Sequence, residues 1–246
     1  MKDRAEEISL TDFEPGLKGF CLIKKSNRVR RINLRIHSKE KAILTLPRWA
    51  SLREGYLFLD KQKSWLAKRI KRFPATCKIS EYFSDGGKVW LAENPHLLSW
   101  HENESVTKVS YRIYEEHIHL NIPNDEMREE NILFSLRALA KENLTDRVES
   151  LAIDSRLKWN KVRIGNQKSR WGSCSAKGTI SLNWRLVLLP YEIANYVIHH
   201  ELAHLKHLNH SAKFWEYLET LCPNSRVKDK DLLKVGKPII CLAQDI

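Results

Sequence analysis

Apolar and polar positions recur along this chain with two different periods, and the switches between them mark its elements. Within residues 19–47 the period is two. Arg30 to Ile36 alternates polar with apolar, and Ala42 to Leu46 is a short apolar run closed by Pro47. Such alternation places successive side chains on opposite faces of a strand. Over 51–73 the period lengthens. Leu52, Tyr56, Leu59, Trp65, Leu66, Ile70 and Phe73 recur at near-helical spacing with lysines and arginines between them, which predicts a helix. Residues 79–122 return to β character, with Asp85-Gly86-Gly87 as a hairpin turn signal and a second alternation from Ile113 to Ile122.

Past residue 125 the helical period dominates. Ile132, Leu133, Leu136, Leu139, Ala140, Leu144, Val148, Leu151 and Ala152 predict one long amphipathic helix over 126–157. A short strand, Lys161 to Ile164, is followed by a polar loop, Gly165 to Ser175, and by a strand from Thr179 to Leu189. Pro190 stands where a helix's first turn tolerates proline, so Tyr191 to about Leu208 reads as helix. Ser211 to Leu221 is a last helix, stopped by Pro223. The pattern predicts an α+β fold: a β-rich module with one basic helix over 18–124, an α+β domain over 125–224, and a tail over 225–246.

Composition adds exclusions. No apolar run approaches the roughly 20 residues of a spanning helix, so no membrane association is expected. The first residues carry charge from position two and have no apolar h-region, which makes cytoplasmic residence the expectation. Cys21, Cys77, Cys174, Cys222 and Cys241 are scattered and odd in number, so neither a disulfide framework nor a cysteine metal site is expected. The net charge of +12 is concentrated: residues 18–72 hold 17 Lys/Arg against Glu40, Glu54 and Asp60. That segment is either a solvated basic face or a surface for nucleic acid or another polyanion.

The sharpest chemical signal is His200-Glu201-Leu202-Ala203-His204, a His-Glu-x-x-His pattern on a helix. Residues four apart share a helical face, so both imidazoles can meet one ion, expected to be zinc. Glu201 is placed to act as general base toward water that the metal activates. Ile198, Leu202 and Leu205 make an apolar stripe that anchors the helix. His199 is rotated by about 100° and is not a candidate ligand.

A catalytic zinc takes three protein ligands and keeps one position open. His210, six residues after His204, is the leading third candidate. Glu216 or Glu219 on the last helix, and His207, are its rivals. The spacing to His210 is similar to that of metzincins. Those carry a glycine where His207 stands and a methionine turn, and the only methionines here are Met1 and Met127. Asn209 is the residue expected to take the left-handed conformation that returns the chain toward the ion.

Three blocks carry a family resemblance: Lys168 to Ser175 (KSRWGSCS) with Gly178 to Leu186 (GTISLNWRL), Tyr196 to Leu205 (YVIHHELAHL), and Asn209-His210-Ser211 with Phe214-Trp215. A weaker likeness covers Leu46-Pro47 and Lys63 to Leu66. The chain resembles the YgjP-like metallopeptidases, zincins distantly similar to SprT-like and WLM proteases. One departure is Leu91-Ala92-Glu93-Asn94, where such proteins carry a Leu-Gly turn. The resemblance implies a zincin-like catalytic domain over 125–224, a single zinc held by His200, His204 and His210, Glu201 as the catalytic residue, and a protein or peptide substrate. The strand from Thr179 to Leu186 is the candidate for pairing with extended substrate. Arg170 is read as bracing its loop, with oxyanion stabilisation as the alternative. Tyr196 and Tyr217 are further oxyanion candidates, and Trp171 and Trp184 are read as packing residues. The competing reading is a nucleic-acid or polyanion binder with a structural zinc site. A third combines them in a peptidase acting on DNA-associated proteins, by analogy with the SprT-like group.

Overall fold

Period-two alternation at the start of the chain is realised as a sheet in the computed structural model, which describes residues 6–12, 19–36, 41–71 and 78–243. Strands β1 (Glu6–Ser9), β2 (Phe20–Ser26), β3 (Asn33–Ile36) and β4 (Lys41–Pro47) form it in the order β1-β2-β4-β3. The central pair, β2 and β4, is parallel and both outer pairs are antiparallel. Cys21, Ile23, Ala42, Leu44 and Leu46 are its buried positions. The single helix expected over 51–73 is two helices, α1 (Leu52–Lys61) and α2 (Lys63–Lys71), which meet at Gln62. Ser51 and Glu54 close a reciprocal capping box at the start of α1. Leu59, Leu66, Ala67 and Ile70 join the sheet residues in one core. Phe73 and Cys77 lie outside the described residues.

The next stretch repeats the same topology. After a short helix α3 (Ile79–Ser84) come β5 (Lys88–Val89), β6 (His96–Asn103), β7 (Ser110–Ile113) and β8 (His117–Pro123), in the order β5-β6-β8-β7. The central pair is again parallel and the outer pairs antiparallel. The chain thus builds one four-strand arrangement twice, although its sequence carries no visible repeat. Asp85-Gly86-Gly87 does not join two strands. It links α3 to β5, with Gly86 at φ 85°.

Helix α4 (Arg128–Asp154) covers this second sheet. Ile118, Leu120 and Ile122 share a core with Ile132, Leu136, Leu139 and Ala140. The chain accordingly divides into two compact units between residues 76 and 77, not near 125. A strand's face must be covered, and the cover for residues 88–123 lies C-terminal to them in sequence.

The same core continues into the remaining elements. Strands β9 (Lys161–Gly165), β10 (Gly172–Cys174) and β11 (Thr179–Asn183) form a sheet in the order β10-β11-β9. β10 arises inside the stretch read as a polar loop. β11 ends at Asn183 because the Asn183 side chain accepts from the Arg185 N–H and starts a 3-10 turn over Trp184–Leu188. Helices α5 (Tyr191–Ala203), α6 (Ala212–Leu221) and α7 (Ser225–Ile239) follow. The 225–246 segment expected as a tail is thus largely helical. Arg147 of α4 donates to Asn195 Oδ1 (3.1 Å) and to the Tyr191 carbonyl (3.0 Å), fixing the start of α5. Among the described residues, no helix is long and apolar enough to cross a membrane.

Arg185 is fully buried, and burial lowers its guanidinium to about 10. It still carries a full charge at neutral pH. Its Nε donates to the Leu242 carbonyl (2.7 Å), its Nη1 to Asn166 Oδ1 (2.7 Å), and its Nη2 to the Leu242 carbonyl. Arg185→Leu leaves the Leu242 carbonyl without this donor, while Asn166 Oδ1 keeps the Trp184 indole N–H, a loss of about 1–3 kcal/mol. A lowered urea midpoint and faster amide exchange over 239–243 are the expected readouts.

Candidate metal centre

Helix α5 delivers His200, Glu201 and, at its C-terminal cap, His204. The chain then reverses within five residues. Leu205, Lys206 and His207 N–H groups bond back to the carbonyls of Leu202 and Ala203, tightening the last turn. Among the described residues, the non-glycine positions with positive φ are Arg156, Asn224 and Ala243. Asn209 is therefore not left-handed. Its side chain accepts from the Ser211 N–H (3.4 Å) and makes the reversal as an Asx turn instead. This returns His210 to the helix.

Among the described residues, the grouping of three donors is His200, His204 and His210, with one nitrogen from each inside a 4.8 Å span. The Nε2 atoms of His200 and His210 are 2.9 Å apart. Two nitrogens on one tetrahedral zinc are separated by about 3.3 Å. The rings are backed by Phe214 of α6, which is fully buried, stacks on His204 at 4.6 Å and meets His200 and His210 edge-on.

The hydrogen bonds around the rings assign their tautomers. His204 Nδ1 lies 2.9 Å from the His207 carbonyl oxygen, which can only accept, so Nδ1 carries the proton and Nε2 is free. Tyr196 Oη donates to Asp229 Oδ1 (2.9 Å) and has its lone pair toward His200 Nδ1 at 3.5 Å. His200 Nε2 is thereby the free nitrogen of that ring as well. Burial, reinforced by the other two histidines, lowers His200 to about 4, and burial lowers His204 too. Both are neutral at pH 7, the state a ligand needs.

Glu201 sits on the other side of α5's turn against the sheet. It is 5% exposed, and burial raises its carboxyl to about 8 while the charge of Arg170 opposes the rise. Its Oε2 has no hydrogen-bond partner. Gly172 of β10 makes the room: a Cβ there would lie 2.6 Å from Glu201 Oε1. Asn183 holds this strand in register. It donates from Nδ2 to the Gln167 and Arg170 carbonyls (2.8 and 3.0 Å) and from its backbone to Trp171 (2.8 Å).

The other sequence candidates fall outside the cluster. His207 gives its carbonyl to His204 and its ring to Tyr217 at 5.7 Å. Glu219 accepts from Asn224 N–H (2.7 Å) and from Ser225 N–H (3.0 Å) and Oγ–H (2.6 Å), which holds it below the usual carboxylate range. Glu216 is exposed on α6 and is not part of the grouping. Trp184 is fully buried with its Nε1–H on Asn166 Oδ1 (3.1 Å), and Trp171 packs against Gly236. Cys174 is half-buried, and burial and the Glu201 charge raise its thiol to about 11. The strand with an open edge beside α5 is β10, not the Thr179–Leu186 segment, whose strand is central. Asp229 was not a sequence candidate. It lies in the charged run Lys228-Asp229-Lys230-Asp231, where nothing sets it apart from a solvated helix face.

The donor set suits one divalent cation: three imidazoles, no competing acid among them, and an adjacent buried carboxylate oxygen with no partner. Comparison with known proteins agrees. The family model described as the YgjP-like metallopeptidase domain matches residues 30–234. The chain belongs to the YgjP-like metallopeptidase family, and is a metal-dependent peptidase of that class. Two solved structures are similar to part of it. The crystal structure of the metallopeptidase zymogen of Pyrococcus abyssi abylysin is 30% identical, with 37% of this chain and 94% of that one covered and a TM-score of 0.34. The zymogen of Methanocaldococcus jannaschii jannalysin is 26% identical, with 38% and 94% covered and a TM-score of 0.33. No curated protein matches the chain.

The Gly172–Glu201 contact is open to test. Gly172→Ala should lower the melting temperature by about 4 °C, since overpacking a filled site costs about 1–3 kcal/mol. Adding Glu201→Ala should recover part of the loss. Additive effects in the double variant would mean that the two residues do not share this space.

Proposed function

We propose that the chain is a zinc-dependent peptidase in which His200, His204 and His210 hold one zinc ion and Glu201 is the general base. The observation that carries this reading is the pairing of a three-imidazole cluster with a buried, unpartnered carboxylate oxygen on the next residue of the same helix. Zinc, when bound, supplies Lewis acidity, polarising the scissile carbonyl and easing the ionisation of water.

The chain's own groups do the rest. Glu201 Oε2 takes the proton of the attacking water and returns it to the departing amine. Without a cation, burial keeps this carboxyl largely protonated at pH 7. A cation's positive field acts in the opposite direction and favours the carboxylate, the form that can accept a proton. The Asp229–Tyr196 pair orients His200 and fixes its tautomer. Arg170 contributes positive charge near Glu201. The free edge of β10 can pair with an extended peptide backbone, which suits a protein or peptide substrate.

Glu201→Gln should bind zinc as the wild type does and lose peptide hydrolysis by about 10²–10⁴-fold. His210→Ala should lose zinc, while Glu219→Ala should keep it. Metal analysis beside a peptidase assay reads all three. Full activity in Glu201→Gln would remove the general-base role, and undiminished zinc affinity in His210→Ala would remove it as the third ligand.

A second reading concerns the N-terminal unit and is favoured by its surface. Trp49 is 73% and Trp65 45% exposed, on a segment rich in lysine and arginine. Exposed aromatics among cations suit single-stranded nucleic acid by stacking and phosphate contact. Binding of a labelled oligonucleotide should then weaken steeply with salt and fall several-fold in Trp49→Ala. No binding at low salt would remove it.

A further inference from the structure

A cavity of about 280 Å³ opens against one wall of the histidine cluster. His204 forms that wall. Trp159, Leu205 and Leu208 supply apolar sides, and Lys158 and Lys177 supply charge. No acidic residue lines it, and no described carboxylate pairs with either lysine. A volume near the lower end of ligand-binding pockets suits one side chain rather than a folded segment.

The walls are tied together. The Asn160 N–H donates to the Gly178 carbonyl (2.9 Å), joining the stretch before β9 to the turn between β10 and β11. That turn is closed by the Gly178 N–H on the Ser175 carbonyl (2.9 Å) and the Thr179 N–H on Ser175 Oγ (3.1 Å). Gly178 has φ 73°, and a Cβ there would lie 3.3 Å from Asn160 N. Lys177 is thus carried by a braced turn, with Lys158 on the segment to which that turn is bonded. The placement relative to the chemistry follows from the chain path. β10 is a sheet edge that runs past Glu201 at Gly172 and leads directly into Ser175 at the cavity. A peptide extended along β10 therefore passes the Glu201 carboxyl and then the cavity.

We propose that this cavity is a specificity subsite for a carboxylate of the peptide substrate, with Lys158 and Lys177 as the recognising cations. The carboxylate can belong to a glutamate or aspartate side chain, whose methylenes lie against Trp159, Leu205 and Leu208, or to the peptide's own C-terminus. This rests on the peptidase reading above and names the substrate class of that site.

The test separates the two. Zinc-loaded Glu201→Gln full-length protein is titrated, by fluorescence anisotropy, with labelled alanine-based hexapeptides carrying one glutamate at each central position in turn. Each has a glutamine counterpart, in both C-terminally free and amidated forms. The expected result is about fivefold tighter binding of the glutamate peptide at one position, with the preference abolished in Lys158→Ala/Lys177→Ala and reversed toward a lysine peptide in Lys158→Glu/Lys177→Glu. A preference that follows the free C-terminus instead assigns the cavity to the terminal carboxylate and also upholds the proposal. Equal binding of all peptides, no binding, or a preference that survives the lysine substitutions overturns it. Unchanged melting temperatures in the lysine variants exclude misfolding as the cause. Hydrolysis by the wild type without acidic preference would leave the peptidase reading standing and the subsite refuted. A binding preference without any hydrolysis would do the reverse.

Discussion

A carboxyl group is held out of water beside three imidazoles, and much of the C-terminal unit is arranged around that placement. Moving a carboxylate from water into a closed site is costly unless something offsets it. Here Gly172 lets β10 lie against the Glu201 side chain, and Arg170 provides an opposing charge. Asn183 pins the strand by three hydrogen bonds to the preceding loop, and Arg147 fixes the start of the helix that carries the carboxyl. Each bond reaches across a large sequence distance, so the position of Glu201 is a property of the folded unit and not of its helix alone.

The imidazole cluster depends on a different balance. Close approach of the imidazole rings needs an apolar backing and hydrogen bonds that orient them. Phe214 supplies the backing, and the His207 carbonyl and Tyr196 hydroxyl settle the tautomers of His204 and His200. The site therefore draws on α5, on the turn after it, on α6 and on α7.

The sequence made part of this legible. His200 and His204 follow from helical geometry, and His210 from spacing and family likeness, because these are local relations. Two things were hidden. β10 has three residues, too few to display alternation, so its role as the edge beside α5 could not be read from Gly172-Ser173-Cys174. Asp229 lies 33 residues beyond Tyr196 in a run of alternating charges, and only the docking of α7 distinguishes it from its neighbours. The left-handed turn expected at Asn209 failed for a related reason. An asparagine can turn a chain through its side chain as readily as through its backbone, and sequence does not distinguish the two. The division near residue 125 failed because a change of period marks a change of element, whereas a unit boundary is set by which faces cover each other.

Arg185 and Asp229 have a consequence for the end of the chain. Both interactions run to residues made after the histidines: Tyr196 finds its acceptor on α7, and Arg185 finds its carbonyls at Leu242 and Ala243. Helix α5 precedes both of these partners in the chain. Without residues 225–243, Arg185 keeps its bonds to Asn166 and Asn183 alone, and the Tyr196 hydroxyl beside His200 loses its acceptor. Loss of residues 225–243, by truncation or by local unfolding, would therefore disturb the orientation of His200 and the packing around Arg185 together.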